Sequence, residues 1–115
     1  MRQDNVIAIP AQAVAATINS AAIPSLNLFA CSVQAVATGG SVAGTVKIQA
    51  SNDVPVASSA VPTDWNDIPS ATVSVTGAGA FLIPKLDLCY QYIRIVYTDS
   101  GTGGTIAVRV KALGD

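Results

Sequence analysis

The feature that most constrains this chain is a strict alternation of apolar and polar side chains. Gly44 to Ser51 sets Val46, Ile48 and Ala50 on one side and Thr45, Lys47, Gln49 and Ser51 on the other. A period of two marks a half-buried strand, because successive side chains of extended backbone leave on opposite faces. Thr72 to Thr76 repeats the pattern, and Tyr90 to Tyr97 is rich in β-branched and aromatic residues, with Ile93, Ile95 and Tyr97 on one side. Thr105 to Lys111 turns Ile106, Val108 and Val110 inward and Arg109 and Lys111 outward. Asn27 to Ala37 reads as a long strand with Phe29, Cys31, Val33 and Ala35 on one face. Gly77-Ala78-Gly79 reads as a hairpin turn, and the Gly-rich stretch Thr98 to Gly104 as the turn joining the last two strands into a hairpin. The expected core is Phe29, Val33, Val46, Ile48, Val73, Val75, Ile93, Ile95, Ile106 and Val108, a claim about register.

Residues 10–22 allow two readings. Pro10 with a dozen residues behind it suits a helix start. Val14, Thr17, Ile18, Asn19 and Ser20 are mediocre helix formers, and two short strands are preferred. Val54 to Pro62 carries two prolines and reads as a loop. A length of 115 residues supports one hydrophobic core. Short strands separated by frequent turn signals predict an all-β domain, an antiparallel β-sandwich or jelly roll of about seven or eight strands. Residues 25–115 form that sandwich. Residues 1–24 are expected either as edge strands or as an arm reaching a neighbouring subunit.

Half of the residues are apolar and only 11% are charged, against about a quarter in ordinary soluble domains. So little charge protects poorly against association, which predicts a homo-oligomer. Six basic and seven acidic residues are scattered along the chain, so no basic run exists to neutralise a phosphate backbone and nucleic acid is not expected as a partner. Val6 to Val46 lacks charge but is interrupted by Pro10, Asn19, Ser20, Pro24, Asn27 and Gly39-Gly40, which argues against membrane insertion. Arg2 is followed at once by Asp4 with no Leu-rich run behind it, unlike a secretory leader.

The chain has no His and no Glu, leaving general acid–base work to Asp, Lys, Tyr or Cys and any Ser or Cys nucleophile without an imidazole. No enzyme activity and no cofactor are expected. Cys31 and Cys89 lie in apolar strand contexts and read as small buried hydrophobes, with pairing the lesser alternative. Two cysteines without His make no zinc site. The one constellation able to bind something is Trp65 with Asn52, Asp53, Asp64, Asn66 and Asp67 around the long loop. An indole beside amides and carboxylates suits a sugar ring. The same acids beside proline also make an ordinary turn, with Trp65 as a lid over the end of the sandwich and no metal bound.

Two resemblances follow from the order of these segments. Val46-Lys47-Ile48-Gln49-Ala50-Ser51-Asn52-Asp53, then Asp64-Trp65-Asn66-Asp67-Ile68, then Tyr90-Gln91-Tyr92-Ile93-Arg94-Ile95 resembles the discoidin, galactose-binding-like family over residues 44–97. That family implies a jelly roll binding sugars or lipid headgroups through loops at one end. A longer stretch is similar to small virion structural proteins of bacteriophages: Ser32-Val33-Gln34-Ala35-Val36, Gly44 to Asp53, Trp65 to Ile68, Val73 to Leu82 and Tyr90 to Val108. This resemblance implies a capsid decoration, spike or fibre base, or tail component, made in the host cytoplasm and located in the virion, with other virion proteins as partners. It also implies a trimer as the favoured homo-oligomer, since spikes and decorations often sit at threefold positions. The alternative is a carbohydrate-binding, host-attachment module taking a host glycan.

Overall fold

The alternating runs become strands of a computed structural model that describes residues 2–39, 41–54 and 60–114. In chain order they are β1 (Arg2–Ala13), β2 (Thr17–Asn19), β3 (Ile23–Pro24), β4 (Leu28–Thr38), β5 (Ala43–Ser51), β6 (Asn66–Thr76), β7 (Gly79–Asp87), β8 (Tyr92–Asp99) and β9 (Thr105–Gly114). They form two sheets, ordered β1-β9-β4-β7 and β2-β8-β5-β6, with β3 also pairing with β8. Every pairing is antiparallel. Taking β2 and β3 as two pieces of one edge strand, the order is that of an eight-stranded jelly roll. The fold is therefore an antiparallel β-sandwich of the expected class. No helix of the described residues is long and apolar enough to cross a membrane.

The inward faces meet in one core. Val33, Val46, Ile48, Val75, Ile93, Ile95, Ile106 and Val108 are all buried, joined by Ile9, Tyr97 and Val110. Val73 is half-buried and packs against this cluster. Phe29 departs from the expected core and is 42% exposed. A register shift between β4 and β9 at Leu28/Ala30 is the cause. Around it Leu28, Ala30 and Cys31 are all buried, so the alternation changes phase and Phe29 turns outward.

Two expected hairpins are corrected. β8 belongs to one sheet and β9 to the other, and β6 and β7 are likewise split between sheets. Both Gly-rich connections are arches across the sandwich. Their backbone bonds go elsewhere: Gly77 N–H donates to Val42 O (2.8 Å), Ser100 N–H to Ala43 O (2.8 Å) and Thr102 N–H to Ser41 O (3.3 Å). Among the described residues, β5 and β6 are the only consecutive strands that pair with each other.

Residues 10–22 contain strand and no helix. Within this chain, β1 lies on β9 while β2 and β3 lie on β8, so residues 2–24 form edges of both sheets. The expected loop from Val54 to Pro62 falls partly outside the described residues, which omit 55–59. Cys31 is buried, and burial pushes its thiol up to about 11. Cys89 is exposed, contrary to its expected place in the interior, because it sits in the connection after β7. The two are unpaired.

Candidate functional site

The residues singled out around the long loop separate into three groups. Asp53 is a staple. Its carboxylate accepts bonds from the Thr63 backbone N–H (2.9 Å) and the Asp64 backbone N–H (3.0 Å), and from the Ser51 hydroxyl (2.6 Å). Thr63 Oγ1 adds a bond at 3.3 Å. The carboxylate thus ties the end of β5 to the residues leading into β6. Asp64 contributes its backbone to this closure and its side chain is exposed.

Donation from Ser51, Thr63 and Asp64 lowers the Asp53 carboxyl from 3.8 to about 2. Its folded-state value is depressed, so its stabilisation is complete above the ordinary range and is lost as pH falls through about 2. The urea midpoint of the wild type should therefore exceed that of Asp53→Asn most at neutral pH. The gap should close as pH falls from about 4 towards 2. A gap independent of pH would mean the carboxylate charge contributes nothing to loop closure.

Trp65, Asp67 and their neighbours form a strip on the outward face of β6, β5 and β8. Asp67 lies opposite Gln49, and Gln49 opposite Arg94, in one row across three strands. Gln49 Nε2 donates to Asp67 Oδ1 (2.8 Å), Arg94 Nε donates to Gln49 Oε1 (2.8 Å) and Lys47 Nζ donates to Asp67 Oδ2 (3.2 Å). Gln49 and Lys47 hold the Asp67 carboxyl below its ordinary value. The Arg94 guanidinium lies 4.6 Å from the centroid of the Trp65 ring, a cation–π contact. Trp65 is half-buried on this face and does not close the sandwich end as a lid. Arg94 is the partner missed from the sequence: alternation placed Lys47 and Gln49 outward, but the row linking them needs cross-strand register.

Asn52, Asn66 and Asp67 converge with Tyr90 around a shallow cavity of about 190 Å³ at the end of β5. Asn52 Oδ1 accepts the Gln91 backbone N–H (2.8 Å), which orients its amide. The structure thus gathers three of the six candidates at one cavity, commits Asp53 to the loop, stacks Trp65 on Arg94 and leaves the Asp64 side chain in solvent.

A second surface was not foreseen. The outward face of β1-β9-β4-β7 carries a row running Ile7, Arg109, Gln34, Leu82 across all four strands. Ile7 is 63% exposed and Leu82 57%. They flank a groove of about 600 Å³ that also takes in Asn5, Ser32 and Lys111. Val36 adds another exposed aliphatic on this face. The two outer faces therefore differ in kind: one is polar and hydrogen-bonded across its strands, the other mixes bare aliphatics with cations.

No family model and no curated protein matches the chain. Solved structures do. The PBSX exported protein XepA is 15% identical over 97% of this chain, with a TM-score of 0.73, and the chain spans 37% of XepA's length. The SPBc2 prophage-derived protein YomS is 10% identical, with 97% of this chain and 95% of that one covered and a TM-score of 0.58. A chain of the T13 infectious bursal disease virus particle is 13% identical over 98% of this chain and 31% of its own, with a TM-score of 0.56. At such identities the likeness is one of fold, and the chain shares its two-sheet sandwich with prophage-derived and viral-particle proteins.

Proposed function

We propose that this chain is a non-enzymatic structural subunit of a bacteriophage particle, acting as a capsid decoration, spike or fibre base, or tail component. The observation that carries the reading is the outward face of β1-β9-β4-β7, where Ile7, Val36 and Leu82 stand exposed beside Arg109 and Lys111. A clustered aliphatic surface with interspersed cations is what an interface presents, and covering it removes apolar area from water. The 11% charge content agrees, and so does the fold shared with a prophage-derived protein and a virus particle. The host-glycan alternative has less to work with. Asp53 is spent on loop closure, Asp67 on Gln49 and Lys47, and Arg94 takes one side of the indole.

The test is location. Particles purified by density gradient and probed with antibody to the chain should contain it in many copies, with gold label at a regular position. A chain abundant in the lysate but absent from purified particles would overturn the reading. Wild-type binding on a glycan array, lost in Trp65→Ala with the melting temperature unchanged, would favour the host-attachment alternative.

A further inference from the structure

Among the described residues the sandwich has four edges, and three are blunted over part or all of their length. β7 carries Pro84 and Lys85 beside a register shift against β4. β6 carries Pro69, with Ser70 at φ 66°. β2 and β3 are three and two residues long, and β3 ends in Pro24. Proline, bulges, lysine and short length are the usual devices that stop a free edge from recruiting another strand. Against five residues at Gly79–Ile83 of β7 and five at Thr72–Thr76 of β6, β1 keeps the longest uninterrupted run of the four edges: six residues, Arg2 to Ile7, in register with Gly114 to Arg109. Its Pro10 and its register shifts, after Ile7 and after Ile9, come later. In Arg2–Ile7 every other residue must turn its N–H and C=O away from β9.

We infer that this edge pairs with the same edge of a second copy, joining two four-stranded sheets into one of eight strands across a twofold axis. The inference rests on the assembly reading above and names the surface and the partner. Antiparallel pairing of identical strands is self-complementary, as a twofold contact requires. Directly opposed residues must point to the same face, so the axis passes through a residue and not between two. Within Arg2–Ile7 only two centres leave five residues paired. Centring on Asp4 would leave Ile7 outside the five paired residues, its side chain still bare. Centring on Asn5 sets two amides opposite each other, each able to donate and accept. It also places Gln3 of one copy against Ile7 of the other, covering an aliphatic that is 63% exposed. The grooves of the two copies then run together over one continuous face.

The register makes a sharp test. In a Cys89→Ser background, which removes the exposed thiol and leaves buried Cys31, Asn5→Cys should form a covalent dimer on mild oxidation. Gln3→Cys should not, since its mates would lie about 13 Å apart along the strands. Wild-type chain should sediment at twice 11.6 kDa or an even multiple of that mass. Asn5→Lys, which opposes two ammonium groups, should halve it with an unchanged far-UV spectrum and melting curve at low concentration. An 11.6 kDa wild type overturns the pairing. So does a larger species that ignores Asn5→Lys and yields no Asn5→Cys dimer, a trimer included. Particle labelling decides the assembly reading separately, so the two can fail independently.

Discussion

Replacing Ile95 with alanine should lower the unfolding free energy by about 2–5 kcal/mol, measured as a shift of the urea midpoint at constant slope. Ile95 is fully buried at the middle of β8, opposite Ile48 on β5. Its side chain stands where the two sheets face each other, and close-packed strands on every side leave little freedom to collapse into the space removed. The cost therefore combines lost transfer free energy with an unfilled cavity. Val73→Ala is the companion measurement. Val73 is half-buried on β6, an edge strand, so its truncation should cost clearly less. Equal losses at the two positions would contradict the assignment of β8 to the centre of the core.

Gly44→Ala is the second large effect, and it works by addition. A β-carbon at Gly44 would lie 2.3 Å from Thr98 O and 2.8 Å from the Tyr97 hydroxyl oxygen. The carbonyl belongs to the neighbouring strand of the same sheet and cannot rotate away. Tyr97 is no freer, being fully buried with its hydroxyl donating to Asp99 Oδ1 at 2.8 Å. Overpacking of this kind costs about 1–3 kcal/mol, with the upper end expected where backbone must move. Tyr97 also reports the event. Burial and the Asp99 bond push its phenol up to about 12. Displacing the hydroxyl should bring the Tyr97 titration down towards the ordinary range near 10. A variant as stable as wild type with an unmoved titration would show that the β5–β8 contact is looser than the geometry implies.

What the sequence made legible was local. Alternation marked which side of β5, β8 and β9 faces inward, because one phase of each run is dominated by aliphatics while the other carries Lys47, Gln49, Arg94, Arg109 and Lys111. It failed at Phe29, where a bulge changes the phase and leaves no composition signal behind. It also misjudged the arches. Gly77-Ala78-Gly79 and Ser100 to Gly104 carry the glycines of tight turns, but a turn within a sheet and an arch between sheets need similar backbone freedom. Only long-range pairing tells them apart. The site divided along the same line. Turn chemistry around Asp53 was readable from Ser51-Asn52-Asp53 and the prolines. The stacking of Trp65 on Arg94 depends on residues nearly thirty positions apart and was not.

The order of strands within the first sheet constrains how the chain is made. β9 is the last of the nine strands to be synthesised, yet it lies inside the sheet, between β1 and β4. Until residues 105–114 emerge from the ribosome, β1 has no neighbour and β4 pairs only with β7. Two long strands then wait with open hydrogen-bonding edges, the condition under which nascent chains associate wrongly. Closure joins Arg2 to Gly114, a contact between residues 112 positions apart and so a slow step. A ribosome that stalls before residue 105 would hold β1 with no neighbour in the sheet and β4 with β7 alone.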